Sequence, residues 1–597
     1  MTESTAPVPW TRARPVHALQ WGVVGLGLLF HAWSLWGGFF HMDDFFYLAD
    51  SARPFLEYVG QVYNGHLMPA GFAIVWVSQA IAPMSWTLAV VAVMGLWAAF
   101  LVGSLVLLRR LFAESYWTLV TLVILAFAPL LTTVTVWYAS ALQILPWGAA
   151  LVWMLYFAAR DAERPSARWW VAATAVYIVG LAFWEKTLLA LPCVLWLAWR
   201  FWPGSGRLGL GGLGRRWLLP AATILVSLLY SAAYVLAQRE PVLRSDPTAQ
   251  QLVDSVRISL GEVWVPSYFG APWTGFSEGL SPGSSNAWWM FLILWQIVAA
   301  LVIVSVLRWR SAWNAWALLA GYAAVTVALF AFGRINAFGL VLAYDPRYVE
   351  DLFILGAVVL PFAFVRPRGS ALPSPRPLSW LPTSPRPTLR LVALVGFVNL
   401  LLLPSVAVAT SWQDSAAKRF VSRARATFDA NPGIPVLDRK VPPEVMAPLF
   451  LERANASYVL AGLRIPVRWD GAGPILLGLN DAGEGVRPDI AVSSSSVQGL
   501  DGECGWRVYD GPIDIELDRT LFDWIWVGRM DYLAAGTGEA QVQLSDRVTT
   551  IPLQEGLHQV SFVVVGEGDT LTMTPPPGAG VCVSKVVLGQ PDISGQS

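Results

Sequence analysis

Eleven long apolar runs occupy the first 411 residues, at roughly 18–40, 85–108, 116–134, 141–159, 169–184, 187–202, 217–237, 287–307, 314–333, 351–366 and 391–411. Inside a bilayer a chain must satisfy its own backbone N–H and C=O groups, so an apolar run of about 20 residues can cross only as a helix. The expectation is a mainly α, polytopic transmembrane bundle of about eleven spans. Residues 169–184 and 187–202 are short and are parted only by Glu185-Lys186, and 69–83 reads as a re-entrant or interfacial helix. Charged residues make up 13% of the chain and hydrophobic ones 55%. That balance excludes a soluble cytosolic enzyme, a disordered chain and a disulfide-stapled mini-protein.

The formal net charge of zero hides two unlike parts. Residues 1–411 hold 25 basic and 17 acidic side chains, and 412–597 hold 15 and 23, giving +8 and −8. A soluble part therefore follows the membrane part. One set of loops and span ends carries eighteen basic residues and the opposite set seven. The positive-inside rule makes the first set cytoplasmic. The N-terminus is then expected inside and the C-terminal part outside, in a multi-pass protein of the cell membrane. Residues 18–40 read as an uncleaved signal anchor. The cytoplasmic loops 203–216 (Gly-rich) and 367–390 (Pro- and Ser-rich) lack a Gly-Lys-Ser/Thr phosphate loop and read as linkers.

Thirteen of those 17 acidic residues fall on the outer side. The sharpest cluster is His41-Met42-Asp43-Asp44-Phe45-Phe46-Tyr47, where the first span ends. Two adjacent carboxylates at a bilayer boundary are costly to desolvate. They either serve function or cap a short surface helix over Phe45 to Glu57. Asn64-Gly65-His66-Leu67-Met68-Pro69 opens the re-entrant helix, and His66 is one of only five histidines. Trp184-Glu185-Lys186-Thr187 is a tight outer turn that either binds or forms a local ion pair. Asp345-Pro346-Arg347-Tyr348 precedes the tenth span and either binds or anchors at the headgroups.

An acidic pair after the first span, followed by His-x-x-Pro before the next apolar segment, resembles the GT-C superfamily of membrane glycosyltransferases, which use polyprenyl-phosphate-linked sugars. Trp184-Glu185-Lys186-Thr187 is similar to their Lys-Glu outer loop with the order reversed, and Trp137-Tyr138-Ala139-Ser140 to their Trp-x-Ser loop with one extra residue. The resemblance covers about 1–411. It implies transfer of a sugar from a polyprenyl-phosphate donor to an extracytoplasmic glycan, lipid or protein acceptor, with inversion, and Asp43 as the base.

The residue types suit this chemistry. A lipid phosphate is already a good leaving group and needs cations rather than an acid, whereas the acceptor hydroxyl needs a base. Asp43 and Asp44 are the expected catalytic residues. Lys186 and Arg347 fit the phosphate. His66 fits the phosphate or the acceptor, and His41, Tyr47, Glu185 and Tyr348 complete the expected substrate-binding set. A divalent cation, Mg²⁺ or Mn²⁺, would fall to Asp43, Asp44 and His66. The loop 238–286 carries Trp264, Tyr268, Phe269, Trp273 and Phe276, which suit either an acceptor sugar or a membrane belt. No nucleic-acid partner is expected. The competing readings are a transporter or flippase of lipid-linked saccharides and a non-catalytic scaffold for the outer domain.

Residues 412–454 read as a helical linker, with a helix over 412–432. From 455 to 597 short strands are expected at Ser457–Leu460, Ile475–Leu479, Asp514–Leu517, Ala540–Leu544, Gln559–Val565, Thr570–Met573 and Val581–Leu588, suggesting a β-sandwich of the carbohydrate-binding kind. Cys504 and Cys582 are the expected disulfide, and Cys193 lies in a span. Asn455-Ala456-Ser457 has the form of a glycosylation sequon. Trp524 and Trp526 should share a face on a strand, in the core or lining a sugar site.

Overall fold

The computed structural model describes residues 14–113, 115–164, 166–202, 218–237, 245–271, 288–370, 372–376, 387–499, 501–509 and 511–593. The chain divides into two compact units, Met1–Ser415 and Ala416–Ser597. The Gly-rich run 203–216, Trp273 and Phe276 lie outside the described residues.

The first unit is helical. Its first elements are α1 (Arg14–Trp36), α2 (Asp43–Asp50), α3 (Phe55–Val59), the strands β1 (Val62–Tyr63) and β2 (His66–Leu67), and α4 (Pro69–Ile81). Then follow α5 (Trp86–Phe112), α6 (Tyr116–Phe127), α7 (Pro129–Val136), α8 (Tyr138–Glu163), α9 (Ala167–Phe183), α10 (Thr187–Phe201) and α11 (Leu218–Ala237). Helices α12 (Ala249–Val256), α13 (Val265–Ser267), α14 (Trp288–Arg308), α15 (Ala312–Phe338), α16 (Glu350–Phe364) and α17 (Pro387–Gln413) complete it. Among the described residues the eleven apolar runs coincide largely with helices, although the first run leaves its helix at Trp36 and the third is broken at Ala128. Seven helical stretches among the described residues are long and apolar enough to cross a membrane, and Ala167–Phe183, Thr187–Phe201 and Ala221–Ala237 are shorter.

Local chemistry sets the breaks. Pro129 lacks an amide hydrogen and biases Ala128 to an extended conformation (ψ 131°), so α6 stops and α7 restarts. The expected single helix from Phe45 to Glu57 is instead two helices, because Pro54 enters as an extended N-cap residue (ψ 143°) and starts α3. Only the second half of that segment lies at the surface: Phe45, Phe46, Tyr47 and Leu48 are buried, whereas Ala52 to Glu57 are exposed. Helix α16 is the hub: from Glu350 to Phe364 only Leu360 is not fully buried. By contrast, α17 leaves Leu389, Leu391 and Val392 exposed, as suits a lipid-facing helix.

The second unit opens with α18 (Ala416–Ala430) and, past irregular chain, α19 (Ala456–Val459). The strand expected at Ser457–Leu460 is thus a helical turn. Asp438 accepts from both the backbone N–H of Ser457 (2.8 Å) and its hydroxyl (2.6 Å), and this local capture overrides a short alternating pattern. Strands β3 (Gly478–Leu479) and β4 (Gly485–Val486) form a small hairpin.

The main antiparallel sheet contains β5 (Asp489–Ser495), β6 (Trp506–Val508), β7 (Ile513–Ala534), β8 (Gly538–Leu544), β9 (Arg547–Leu553), β10 (Gly556–Thr574) and β11 (Val581–Asp592). Its order is β5-β11-β7-β10-β8-β9, with β6 on β11. The two strands expected at 559–565 and 570–573 are one strand. Gly566 and Gly568 mark register shifts in it, not a turn. At Gly566 (φ 145°) a Cβ would meet the Leu544 carbonyl oxygen at 2.4 Å, so only glycine fits. The bent sheet closes on one core that includes Ile515, Trp526, Met530, Val542, Ile551, Phe562 and Val583. Thr549 of β9 donates to the Val563 carbonyl (2.9 Å) of β10, a strand it does not pair with, so the sheet's halves face each other. Trp526 is buried, whereas Trp524, two residues earlier at the bend, is 53% exposed. Cys504 and Cys582 are bonded, 78 residues apart, with Cα atoms 5.0 Å apart. Cys193 is free and buried.

Candidate active site

One end of the bundle gathers the α1–α2 turn, the β1–β2 hairpin, the start of α8, the α9–α10 turn and the start of α16. The hairpin turn is Asn64-Gly65, both with positive φ (49° and 82°), the conformation a two-residue type I′ turn requires. It pairs Tyr63 with His66. Three donors pin the hairpin. Tyr234 Oη donates to the Gly65 carbonyl (2.6 Å), Tyr230 Oη to the Leu67 carbonyl (2.9 Å) and Arg334 Nη2 to the Asn64 carbonyl (2.8 Å).

The two adjacent aspartates separate in role. Asp44 is fully buried; its Oδ2 accepts the His41 backbone N–H (2.9 Å) and its Oδ1 that of Ala139 (2.7 Å). Burial pushes its carboxyl up to about 8, against the pull of these donors. It ties the turn before α2 to the first turn of α8. It does not cap α2, whose N-cap residue is Met42 (φ 44°). Asp43 is half-buried. Burial raises its pKa, while Arg347, His66 and Arg334, and a hydrogen bond from Tyr63, pull it back. A carboxylate raised by burial and faced by three basic side chains is a stronger base than a free aspartate and sits where an anion would be drawn.

Arg347 is the most tightly oriented cation. Asp345 accepts its backbone N–H at Oδ1 (3.0 Å) and its Nε and Nη2 at Oδ2 (2.8 and 2.6 Å). The guanidinium carbon lies 3.9 Å from the centroid of the Trp137 ring. Such fixing lowers the ordering cost of binding an anion. His41 is enclosed edge-on by Trp137 (5.0 Å) and Trp412 (5.4 Å). Burial, then the Arg347 charge, push its pKa down to about 4, so it is neutral near pH 7.

The α9–α10 turn adds two pairs. His66 Nδ1 lies 2.7 Å from Glu185 Oε1. Lys186 Nζ lies 3.3 Å from Asp351 Oδ2 and 4.7 Å above the Trp184 ring. Tyr322 Oη donates to the same Asp351 oxygen (2.8 Å). Beside it, Ser140 Oγ donates to buried Glu350 Oε2 (3.3 Å). Among the described residues, Glu185 Oε2 and Asp351 Oδ1 are buried without a hydrogen-bond partner.

His41, Asp43, His66, Glu185, Lys186, Arg347 and Tyr348 thus occupy the same end of the bundle. Two of the expected binding residues make packing contacts: the Tyr348 ring meets Phe330 edge-on (4.9 Å), and Tyr47 is buried with its hydroxyl toward Met68 Sδ (3.7 Å). The sequence pattern did not single out Tyr63, Ser140, Tyr322, Arg334, Asp345, Glu350 or Asp351 as site residues. Ser140 sits in the Trp137–Ser140 turn and Asp345 two residues before Arg347, so both carried a local signal; Arg334 and Tyr322, inside a long apolar helix, carried only their polarity. Of the aromatics in the 238–286 loop, Tyr268 turns inward: it stacks on Phe353 (4.4 Å) and donates to its carbonyl (2.8 Å). Among the described residues no group of three His, Cys, Asp or Glu side chains is placed to hold a metal ion. The expected set of Asp43, Asp44 and His66 does not form one, because both Asp44 oxygens face backbone N–H groups.

No protein-family model matches the chain, and no curated protein matches it. Among solved structures, the chain is similar to ArnT from Cupriavidus metallidurans bound to undecaprenyl phosphate, at 13% identity and a TM-score of 0.42, over 77% of this chain and 92% of that one. It is also similar to the arabinofuranosyltransferase AftD from Mycobacteria, at 12% identity and a TM-score of 0.36, over 95% of this chain and 58% of that one. A mutant form of AftD gives 11% identity and a TM-score of 0.37, over 96% of this chain and 61% of that one.

Proposed function

We propose that the chain is a GT-C-type membrane glycosyltransferase that moves a sugar from a polyprenyl-phosphate donor to a glycan, lipid or protein acceptor of the cell envelope. The observation that carries this reading is Asp43, a half-buried carboxylate with a raised pKa, faced by Arg347, His66 and Arg334 at one end of an apolar helical bundle. A base and several cations at the membrane boundary match a reaction that removes one proton and releases one lipid phosphate.

In this mechanism the acceptor hydroxyl attacks the anomeric carbon from the side opposite the phosphate, and its proton passes to Asp43. The bond from the anomeric carbon to the phosphate oxygen breaks, and the phosphate leaves with the electron pair. Arg347, with Lys186 and His66, offsets the charge gathering on that oxygen. A single displacement inverts the anomeric centre. Asp44 holds the Asp43 turn against α8. In this reading residues 1–411 form the catalytic domain, 412–454 a linker and 455–597 an outer domain that binds carbohydrate. The N-terminus is cytoplasmic, and the site and outer domain face outward, following the distribution of Lys and Arg.

The test is incubation of the purified full-length protein with a panel of polyprenyl-phosphate sugars and envelope acceptors, reading transfer by mass spectrometry. Sugar transfer that depends on Asp43 supports the proposal. Substrate flux in sealed vesicles lacking any acceptor, with no transfer, would support a transporter instead.

A further inference from the structure

The end of the bundle away from Asp43 carries an arginine cluster that the proposed reaction does not use. Helices α5 and α8 both run from the site to this far end. At about 1.5 Å per residue, 26-residue α8 covers about 39 Å. Its last turn places Arg160 and Glu163 three residues apart, hence on neighbouring positions of one face, and Arg164 follows as the non-helical C-cap (φ −136°, ψ 89°). Glu163 pairs with Arg110 at the end of α5. Arg368 is brought to the same place by its backbone: its N–H donates to the Leu111 carbonyl (2.8 Å), and its carbonyl accepts from Trp202 Nε1 (3.1 Å). Next to it, a Cβ on Gly369 would lie 3.4 Å from Glu163 Cγ. Arg160, Arg368 and Arg164 all repel the Arg110 charge.

Three further arginine charges therefore act on the single Arg110–Glu163 pair. The other described acidic group nearby, Asp161, is occupied by the Ser166 backbone N–H (3.0 Å) and Trp170 Nε1 (3.0 Å). The positive-inside rule explains an excess of arginine at this end, but not its convergence. Nor are the charges absorbed by the helix C-terminal carbonyls: Arg110 Nε and Arg160 Nε are buried and, among the described residues, donate to nothing. A buried Nε–H without an acceptor, in a net positive cluster, is costly until an anion supplies one.

An aromatic rim indicates the level of the cluster. Arg160 and Arg168 lie over the Trp169 ring at 4.8 and 4.4 Å, and Trp153, Tyr156 and Phe157 pack in contact with one another beside it. Trp and Tyr mark the membrane–water boundary, where headgroup phosphates lie. We propose that Arg110, Arg160, Arg164 and Arg368 form a binding site for the phosphate headgroup of an anionic phospholipid, at the opposite membrane face from Asp43.

Native mass spectrometry of the detergent-purified full-length protein tests this with added phosphatidylglycerol, cardiolipin, phosphatidylcholine or inorganic phosphate. The anionic lipids should stay bound and phosphatidylcholine should not. The Arg160→Gln/Arg368→Gln variant, which keeps the Arg110–Glu163 pair, should bind anionic lipid roughly tenfold more weakly or worse. Arg310→Gln, an exposed arginine outside the cluster, should bind it as the unaltered protein does. Arg368→Gln alone, on a segment outside the helices, gives a graded loss even if the double variant folds poorly. Equal retention of phosphatidylcholine, unchanged binding in a folded double variant, or displacement of the lipid by millimolar inorganic phosphate would overturn the proposal, the last by making the ligand a soluble anion.

Discussion

Asp44 Oδ1 accepts the backbone N–H of Ala139 at 2.7 Å, across 95 residues of sequence. Its other oxygen takes the His41 N–H. One buried carboxyl thus fixes the turn that presents Asp43 against the turn that presents Trp137 and Ser140. The adjacent pair reads as one motif in the sequence, yet the two side chains face different environments.

Replacing Asp44 with Ala should therefore act on stability. It leaves two N–H groups without their acceptor, at about 1–3 kcal/mol each if they stay dry. Thermal unfolding in nanodiscs should show a loss of about 2–6 kcal/mol for Asp44→Ala. Asp43→Asn should lose less than about 1 kcal/mol, since Asp43 anchors no backbone. Equal losses would contradict the division of roles.

Lys186 and Asp351 should couple. Asp351 is 1% exposed and receives both Lys186 Nζ and Tyr322 Oη. Removing the cation alone, Lys186→Met, leaves a buried carboxylate without its charge partner, at a cost of about 3–5 kcal/mol. The double variant Lys186→Met/Asp351→Asn should recover much of that loss. A double-mutant cycle with no coupling would show that the pair contributes nothing to the fold.

The pH dependence follows from Asp43. Burial raises its pKa above the ordinary 3.8, and a base acts only when ionised. The transfer rate should climb as pH rises through a midpoint above that value. Arg347 is the largest of the charges pulling the pKa down. Arg347→Gln should therefore shift the acid limb to higher pH, while Arg347→Lys should leave it closer to its original position. A shift to lower pH in Arg347→Gln would place the titrating group elsewhere.

The disulfide should matter to the second unit. Cys504 and Cys582 close a loop of 78 residues, and removing such a link costs about 2–5 kcal/mol. The Cys504→Ser/Cys582→Ser variant should unfold its sheet at a lower temperature, read by near-ultraviolet circular dichroism of the Trp506 and Trp526 environment. Unchanged melting would show that the sheet core alone sets its stability.

The membrane helices were legible because the rule behind them is long-range and coarse: each apolar run had to be a helix. Strands were less so. The Ser457 segment alternated like a strand but answered to Asp438, a residue 19 positions away, and the Gly566–Asp569 stretch looked like a turn but was a bulge. At the site, Asp43, His66, Lys186 and Arg347 stood out as rare polar residues beside apolar runs. Arg334, Tyr322 and Glu350 joined them only through helix packing, which spacing along the chain does not encode. Residue type likewise could not tell Asp43 from Asp44; the difference is which backbone amides each one meets.

The central claim rests on Asp43 as the base. The most direct measurement is the transfer rate of Asp43→Asn with a polyprenyl-phosphate sugar on which the unaltered protein is active, with thermal stability measured on the same sample. The account predicts a rate lower by about a hundredfold or more, with the protein still folded. A folded Asp43→Asn variant that transfers sugar at the full rate would contradict it.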